Sequence, residues 1–217
     1  SGKSHFLKIL SYLLENKEVS GKKAIDYFVD DNKISDQMVL ADMKLVSTVQ
    51  TDVVLFNIDS KSEVNGKHSK DAIVSVLQNV FNEMQGFSGS NPFLADMERK
   101  LTEEGKYDLF KEKFEDNFGS TWEESRSDFD FIQDDVVEVL DEIDFMSIES
   151  GRNWCEKATG DYKYKVEDFA QLVKKYLDKK ENNHHIVFLI DEIGQYIGDD
   201  SKLMLNLQTV TEDLGTA

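Results

Sequence analysis

Three consecutive residues at the start of the chain, Gly2, Lys3 and Ser4, have the types that bind phosphate at the beginning of a helix. In the pattern G-x-x-x-x-G-K-[ST], backbone N–H groups surround the phosphates, the lysine reaches the β- and γ-phosphates, and the hydroxyl binds Mg²⁺. We therefore predict that Gly2, Lys3, Ser4 and the following His5 bind a nucleotide, with Ser4 also a metal ligand. Because only half of the pattern is present, a chance tripeptide or a cloning remnant is the alternative, and His5 is equally compatible with a helix surface.

A second run of residues could complete this chemistry from the other end of the sequence. Five apolar residues at 186–190 are followed directly by Asp191 and Glu192, which is typical of a Walker B strand. Asp191 would hold Mg²⁺ through water, and Glu192, the predicted catalytic residue, would polarise the water that attacks the phosphate. The alternative is a buried strand followed by a helix, since acidic residues are also favoured at a helix N-terminus.

The elements that must position these residues follow from the spacing of the apolar side chains. Two short, almost continuously apolar runs, at 52–59 and 186–190, predict parallel strands covered on both faces. Helical spacing predicts helices at 6–14, 22–29, 36–49, 69–84, 91–105, 106–118, 129–146, 166–177 and 203–214. The predicted fold is therefore an α/β P-loop fold in three segments. These are an N-terminal part (1–66), a large helical insertion (67–183), and a strand with its following helix (184–217).

Charge is distributed unevenly over the 217 residues, which contain 43 acidic and 25 basic side chains and carry a net charge of −18. Residues 96–149 alone hold 19 acidic and 6 basic residues, a net charge of −13. Such a segment is either a solvated surface or a face that docks a basic partner, and it argues against broad binding of nucleic acid. No apolar run approaches the roughly 20 residues of a membrane span. The lone Cys155 predicts a reducing, cytoplasmic location.

Four runs of residues resemble the P-loop ATPase family of the BREX phage-defence system, known as BrxC or PglY. They are residues 1–7 (SGKSHFL), 54–61 (VLFNIDSK), 191–199 (DEIGQYIGD) and 203–209 (LMLNLQT). The resemblance implies an AAA-like ATPase with ATP and Mg²⁺ as cofactors. It also implies other subunits of the defence complex as partners, homo-oligomers, and contact with DNA only indirectly or through other regions. The acidic middle of the chain carries no signature of this family.

Several alternatives remain open at this stage. The chain has the character of a fragment that lacks the first strand of a P-loop domain, so we expect ATPase activity only in the full-length protein. A non-catalytic scaffold, in which the nucleotide is structural and the insertion docks partners, is the main alternative, and a small-molecule kinase is a third. Asp59, Gln195 and Tyr196 could support the site, but turn formation or packing explains them as well. The adjacent His184 and His185 are poor joint metal ligands, and Trp154 and Cys155 are expected in the core.

Overall fold

A computed structural model describes residues 2–30, 32–62, 71–181 and 183–216. The chain divides into two compact units, each described here by itself: unit 1 comprises Ser1–Val76 and Lys165–Ala217, and unit 2 comprises Leu77–Tyr164. Unit 2 thus lies within the predicted helical insertion (67–183) and covers a shorter part of the sequence. No helix of the described residues is both long enough and apolar enough to cross a membrane.

Unit 1 contains a small parallel sheet flanked by helices. Its elements are α1 (Gly2–Glu15), β1 (Glu18–Val19), β2 (Lys22–Lys23), α2 (Asp26–Val29), α3 (Gln37–Val46), β3 (Thr51–Asn57), α4 (Ile58–Ser62), α11 (Val166–Asp178), β4 (His185–Asp191), α12 (Ile193–Ile197) and α13 (Ser201–Thr216). The helix between the two parts, α5 (Ala72–Met84), begins in unit 1 and ends in unit 2. The predicted helix start at Ser69 lies outside the described residues.

The two long strands confirm the predicted parallel pairing. β3 and β4 run side by side in register from Thr51 opposite His185 to Asn57 opposite Asp191. Their carboxyl ends therefore meet at one edge of the sheet, and α1 packs against both strands. Val54 and Phe56 of β3 are buried, and this apolar contact fixes the position of the edge where Asp191 emerges.

A polar cluster around Asp52 ties unit 1 together at the opposite edge of this sheet. One carboxylate oxygen of Asp52 accepts a hydrogen bond from the Tyr176 hydroxyl (2.6 Å) and lies 2.7 Å from Nε2 of His184. Burial opposes ionisation of Asp52, but the bonds from Tyr176 and His184 outweigh it, so the pKa of Asp52 is lowered. The cluster joins β3 to the C-terminal turn of α11 and to the residue that precedes β4.

Unit 2 is helical and has its own aromatic core. Besides the end of α5, it contains α6 (Pro92–Glu103), α7 (Tyr107–Phe118), α8 (Trp122–Ser125), a 3₁₀ helix (Arg126–Phe131), α9 (Gln133–Glu142) and α10 (Ile148–Ala158). Trp122 is fully buried and meets Phe110 and Phe114 edge to face, with centroids 5.2 and 5.4 Å apart. Cys155 is buried in this core and Trp154 packs against it, as predicted.

Two local predictions were wrong, and two helices lie where no element is predicted. Lys22 does not begin a helix but pairs with Val19 in a tight hairpin, because Ser20 and Gly21 adopt positive φ angles of 54° and 78°. Residues 148–158, which no predicted element covers, form helix α10. The single helix expected at 129–146 is divided into a 3₁₀ helix and α9. Between the strand predicted at 186–190 and the helix predicted at 203–214, the chain forms the short helix α12.

Candidate functional site

Residues from the two ends of the sequence line one cavity of about 810 Å³. The first two turns of α1 and the junction between β4 and α12 face each other across it. The residues that line it are Gly2, Lys3, Phe6, Leu7, Ile190, Asp191, Glu192, Ile193, Gly194 and Gln195. The fold therefore brings Lys3 together with Asp191 and Glu192.

Lys3 lies exposed in the first turn of α1, which begins at Gly2. The first N–H groups of a helix have no partner within it, and the helix dipole is positive at this end, so both favour an anion beside Lys3. Ser4, in the same turn, is half-buried and His5 is exposed, and neither is among the residues that line the cavity.

The turn between β4 and α12 has an unusual backbone. Glu192 adopts φ 62° and ψ 16°, the left-handed conformation, and its carbonyl accepts the hydrogen bond from the Tyr196 N–H that begins α12. For a residue with a Cβ this conformation costs about 1 kcal/mol. Oδ1 of Asp191 accepts the N–H of Glu192 at 3.1 Å and so helps to hold the turn. As a result, the exposed Glu192 side chain lies at the wall of the cavity, directly after the end of β4.

The carboxylate of Asp191 is the donor in the cavity that best fits a magnesium ion. One of its oxygens accepts the hydrogen bond from the Glu192 N–H, and the other oxygen is available to bind a cation. The described residues contain no group of three or more His, Cys, Asp or Glu side chains that could hold a metal. Proteins commonly bind Mg²⁺ through one or two carboxylates, the remaining ligands being substrate phosphates and waters.

Most of the remaining wall is apolar, and sequence reasoning missed it. Phe6 and Leu7 follow Lys3 by three and four residues, which places them on its side of α1. The Phe6 ring is 64% exposed. The helical spacing from Lys3 was the signal that could have identified both residues. Among the described residues, the charged side chains that line the cavity are one lysine and two carboxylates.

The weaker candidates lie in other places. A second cavity of about 440 Å³ is lined by Asp59, Gln195 and Tyr196, among others, so Asp59 lies beside this cavity and not beside Lys3. His184 bonds to Asp52, whereas Nε2 of His185 is 3.3 Å from the Asn183 side chain. The two histidines thus have separate partners.

The sequence matches the profile of the KAP family P-loop domain over residues 1–215. The match covers almost the whole chain, and the chain therefore belongs to the KAP family of P-loop NTPases. This membership confirms the predicted P-loop NTPase class and agrees with nucleotide binding at the cavity. No solved structure matches the chain.

Proposed function

We propose that this protein binds ATP with Mg²⁺ in the cavity between α1 and β4 and hydrolyses it. The observation that carries the proposal is the presence of Lys3, Asp191 and Glu192 around one cavity. The volume of about 810 Å³ lies within the usual range for ligand sites. Membership in a P-loop NTPase family supports the same chemistry.

Phosphate binding is assigned to α1. Lys3 pairs with the β- and γ-phosphates, while the N–H groups of the first turn and the Ser4 hydroxyl contribute hydrogen bonds. His5 is assigned a contact to a phosphate at the edge of the site. Asp191 and Ser4 would hold Mg²⁺, which would supply positive charge to offset that of the phosphates. Phe6 and Ile193 contribute an apolar part of the cavity wall.

Hydrolysis is assigned to Glu192. The oxygen of a water molecule forms a bond to the γ-phosphorus, and the bond from that phosphorus to the β–γ bridging oxygen breaks. The bridging oxygen keeps the electron pair and leaves with ADP, and the water gives a proton to the Glu192 carboxylate. The products are ADP and inorganic phosphate. Lys3 stabilises the charge that develops on the transferred group.

ATP turnover by the Glu192→Gln variant of the full-length protein tests the assignment of the base. We expect the turnover number to fall by about 100-fold or more while affinity for ATP changes little, because glutamine keeps the shape but cannot take the proton. Glu18→Gln, which alters an exposed glutamate on β1, is the matched control. Turnover that is unaffected by Glu192→Gln would contradict the proposed role.

A nucleotide-dependent scaffold is the second candidate, and the character of unit 2 favours it. Unit 2 contains 22 acidic and 9 basic residues, a net charge of −13, and a core of its own. Such a unit is suited to docking a basic partner. Lys3-dependent ATP binding without turnover would support the scaffold over the ATPase.

We further propose an AAA-like role in a bacterial BREX defence complex, based on the resemblance of four sequence runs to BrxC and PglY. The partners would be other subunits of that complex, with homo-oligomers and only indirect contact with DNA, in the cytoplasm. Copurification of these subunits in the presence of ATP tests this role. We expect Lys3→Ala to abolish the association, and copurification of no such subunit would contradict the defence role.

A further inference from the structure

Gln195 differs from every other side chain around the cavity. Among the ten lining residues it is the one with a neutral side chain that can both donate and accept hydrogen bonds. It is exposed, and its amide makes no hydrogen bond to any residue that the structure describes. Packing, which would have been the ordinary explanation for a glutamine after a Walker B strand, therefore does not account for it.

The position of Gln195 relative to Glu192 is also specific. Glu192 is the N-cap of α12, and Gln195 lies three residues later, about one helical turn along the same side. Both residues line the cavity that contains Lys3. An amide in this position can reach the region where the Glu192 carboxylate is expected to meet water.

The charge of the cavity explains why a neutral group is useful there. Lys3 contributes one positive charge, and Asp191 and Glu192 contribute two negative charges, so the side chains alone repel a triphosphate. A neutral N–H donor adds a hydrogen bond to phosphate without adding negative charge, and the amide oxygen can accept a hydrogen bond from the attacking water.

We propose that Gln195 is a catalytic residue whose amide contacts the γ-phosphate and orients the water that Glu192 deprotonates. This inference rests on the proposed ATPase function and adds a second polar group to it. Gln195 also lines the neighbouring cavity with Asp59 and Tyr196. Because ADP has no γ-phosphate, binding of ADP does not require the proposed contact.

The test compares ATP and ADP in the full-length protein with Gln195→Ala and Gln195→Glu. For Gln195→Ala we expect the turnover number to fall about 10- to 100-fold, the range for loss of one transition-state hydrogen bond, with ADP affinity within about twofold. For Gln195→Glu we expect affinity for ATP to fall more than affinity for ADP, because the new carboxylate faces the γ-phosphate. If Gln195 had only a structural role, its replacement would weaken binding of ATP and of ADP equally.

Controls separate this proposal from the function on which it rests. Gln208→Ala changes an exposed glutamine on α13 that pairs with Glu212, and we expect normal turnover. If Lys3→Ala and Glu192→Gln change binding and turnover but Gln195→Ala changes neither, only the role of Gln195 is overturned. If Lys3→Ala and Glu192→Gln also have no effect, the proposed ATPase function is overturned with it.

Discussion

Replacement of Glu98 by glutamine should destabilise unit 2 more than replacement of any exposed charged residue in that unit. Glu98 is completely buried, and its carboxylate accepts four hydrogen bonds. The donors are Trp122 Nε1 (2.7 Å), the Arg126 guanidinium (2.9 Å), the Tyr107 hydroxyl (3.1 Å) and the Ser88 N–H (2.5 Å). Burial and the adjacent negative charge of Glu98 raise the pKa of Tyr107, which keeps its hydroxyl protonated as a donor.

The magnitude follows from what glutamine cannot supply. Its NH₂ group, which can only donate, would face one of the four hydrogen-bond donors, and Arg126 would lose its salt bridge to Glu98. Removing one member of a buried ion pair costs about 3–5 kcal/mol of stability. Since the Arg126 side chain is 21% exposed, we expect the free energy of unfolding to fall by about 3 kcal/mol. With a urea dependence of about 2 kcal/mol per molar, the unfolding midpoint should fall by about 1.5 M.

Tryptophan fluorescence during urea unfolding measures this effect directly. The two tryptophans of the chain, Trp122 and Trp154, both lie in unit 2, so the signal reports on that unit. Glu112→Gln, which changes an exposed glutamate on α7, is the matched control and should shift the free energy of unfolding by less than about 0.5 kcal/mol. Equal midpoints for the Glu98 and Glu112 variants would refute the reasoning.

Three further predictions concern other parts of the chain. Glu192→Gly should raise stability by about 1 kcal/mol in thermal unfolding, since glycine accepts the left-handed conformation at φ 62° without strain, while turnover is lost; a lower melting temperature would contradict this. Asp52→Asn should lower the free energy of unfolding by about 1 kcal/mol. Because the pKa of Asp52 is lowered on folding, this loss should be complete above about pH 4 and should disappear as the pH falls through the folded pKa. Urea unfolding between pH 7 and pH 3 measures the loss, and a loss that does not change with pH would contradict the prediction. Burial raises the pKa of the lone Cys155 to about 11, so iodoacetamide should alkylate it at pH 8 roughly 200-fold more slowly in the folded protein than in urea; equal rates would show that the thiol is accessible.

Local sequence signals predicted the elements whose boundaries depend on nearby side chains. The helices predicted at 36–49 and 91–105 begin with an N-cap, since the side chains of Asp36 and Asn91 each accept two backbone N–H bonds. The two parallel strands were likewise predicted from their apolar runs. In these cases the determinant lies within a few residues of the element, so the sequence pattern carries it.

Helix α10 was missed because its buried residues are small. Gly151, Cys155 and Ala158 form its packed side, and they give a weak hydrophobic pattern. A Cβ at Gly151 would lie 3.0 Å from a methyl group of Val137, so close approach to α9 determines the choice of glycine. That constraint comes from tertiary packing and cannot be inferred from local periodicity.

The site shows the same division. The residue types of Lys3, Asp191 and Glu192 predicted phosphate chemistry, but their meeting on one cavity depends on the parallel pairing of β3 with β4 and on the packing of α1. The left-handed turn at Glu192 and the exposure of Gln195 depend on the junction with α12, a helix too short to have a clear sequence pattern. The structure was therefore needed to distinguish a packed glutamine from an exposed one.

ATP affinity measured with and without Mg²⁺ tests most directly whether the two ends of the chain form one nucleotide site. We predict that Lys3→Ala weakens ATP binding about tenfold or more under both conditions, since it removes the one positive side chain of the cavity. Asp191→Asn should abolish the effect of Mg²⁺, and Lys8→Ala, an exposed lysine on α1 outside the cavity lining, should change nothing. ATP binding that is unaltered by both Lys3→Ala and Asp191→Asn would contradict a shared site.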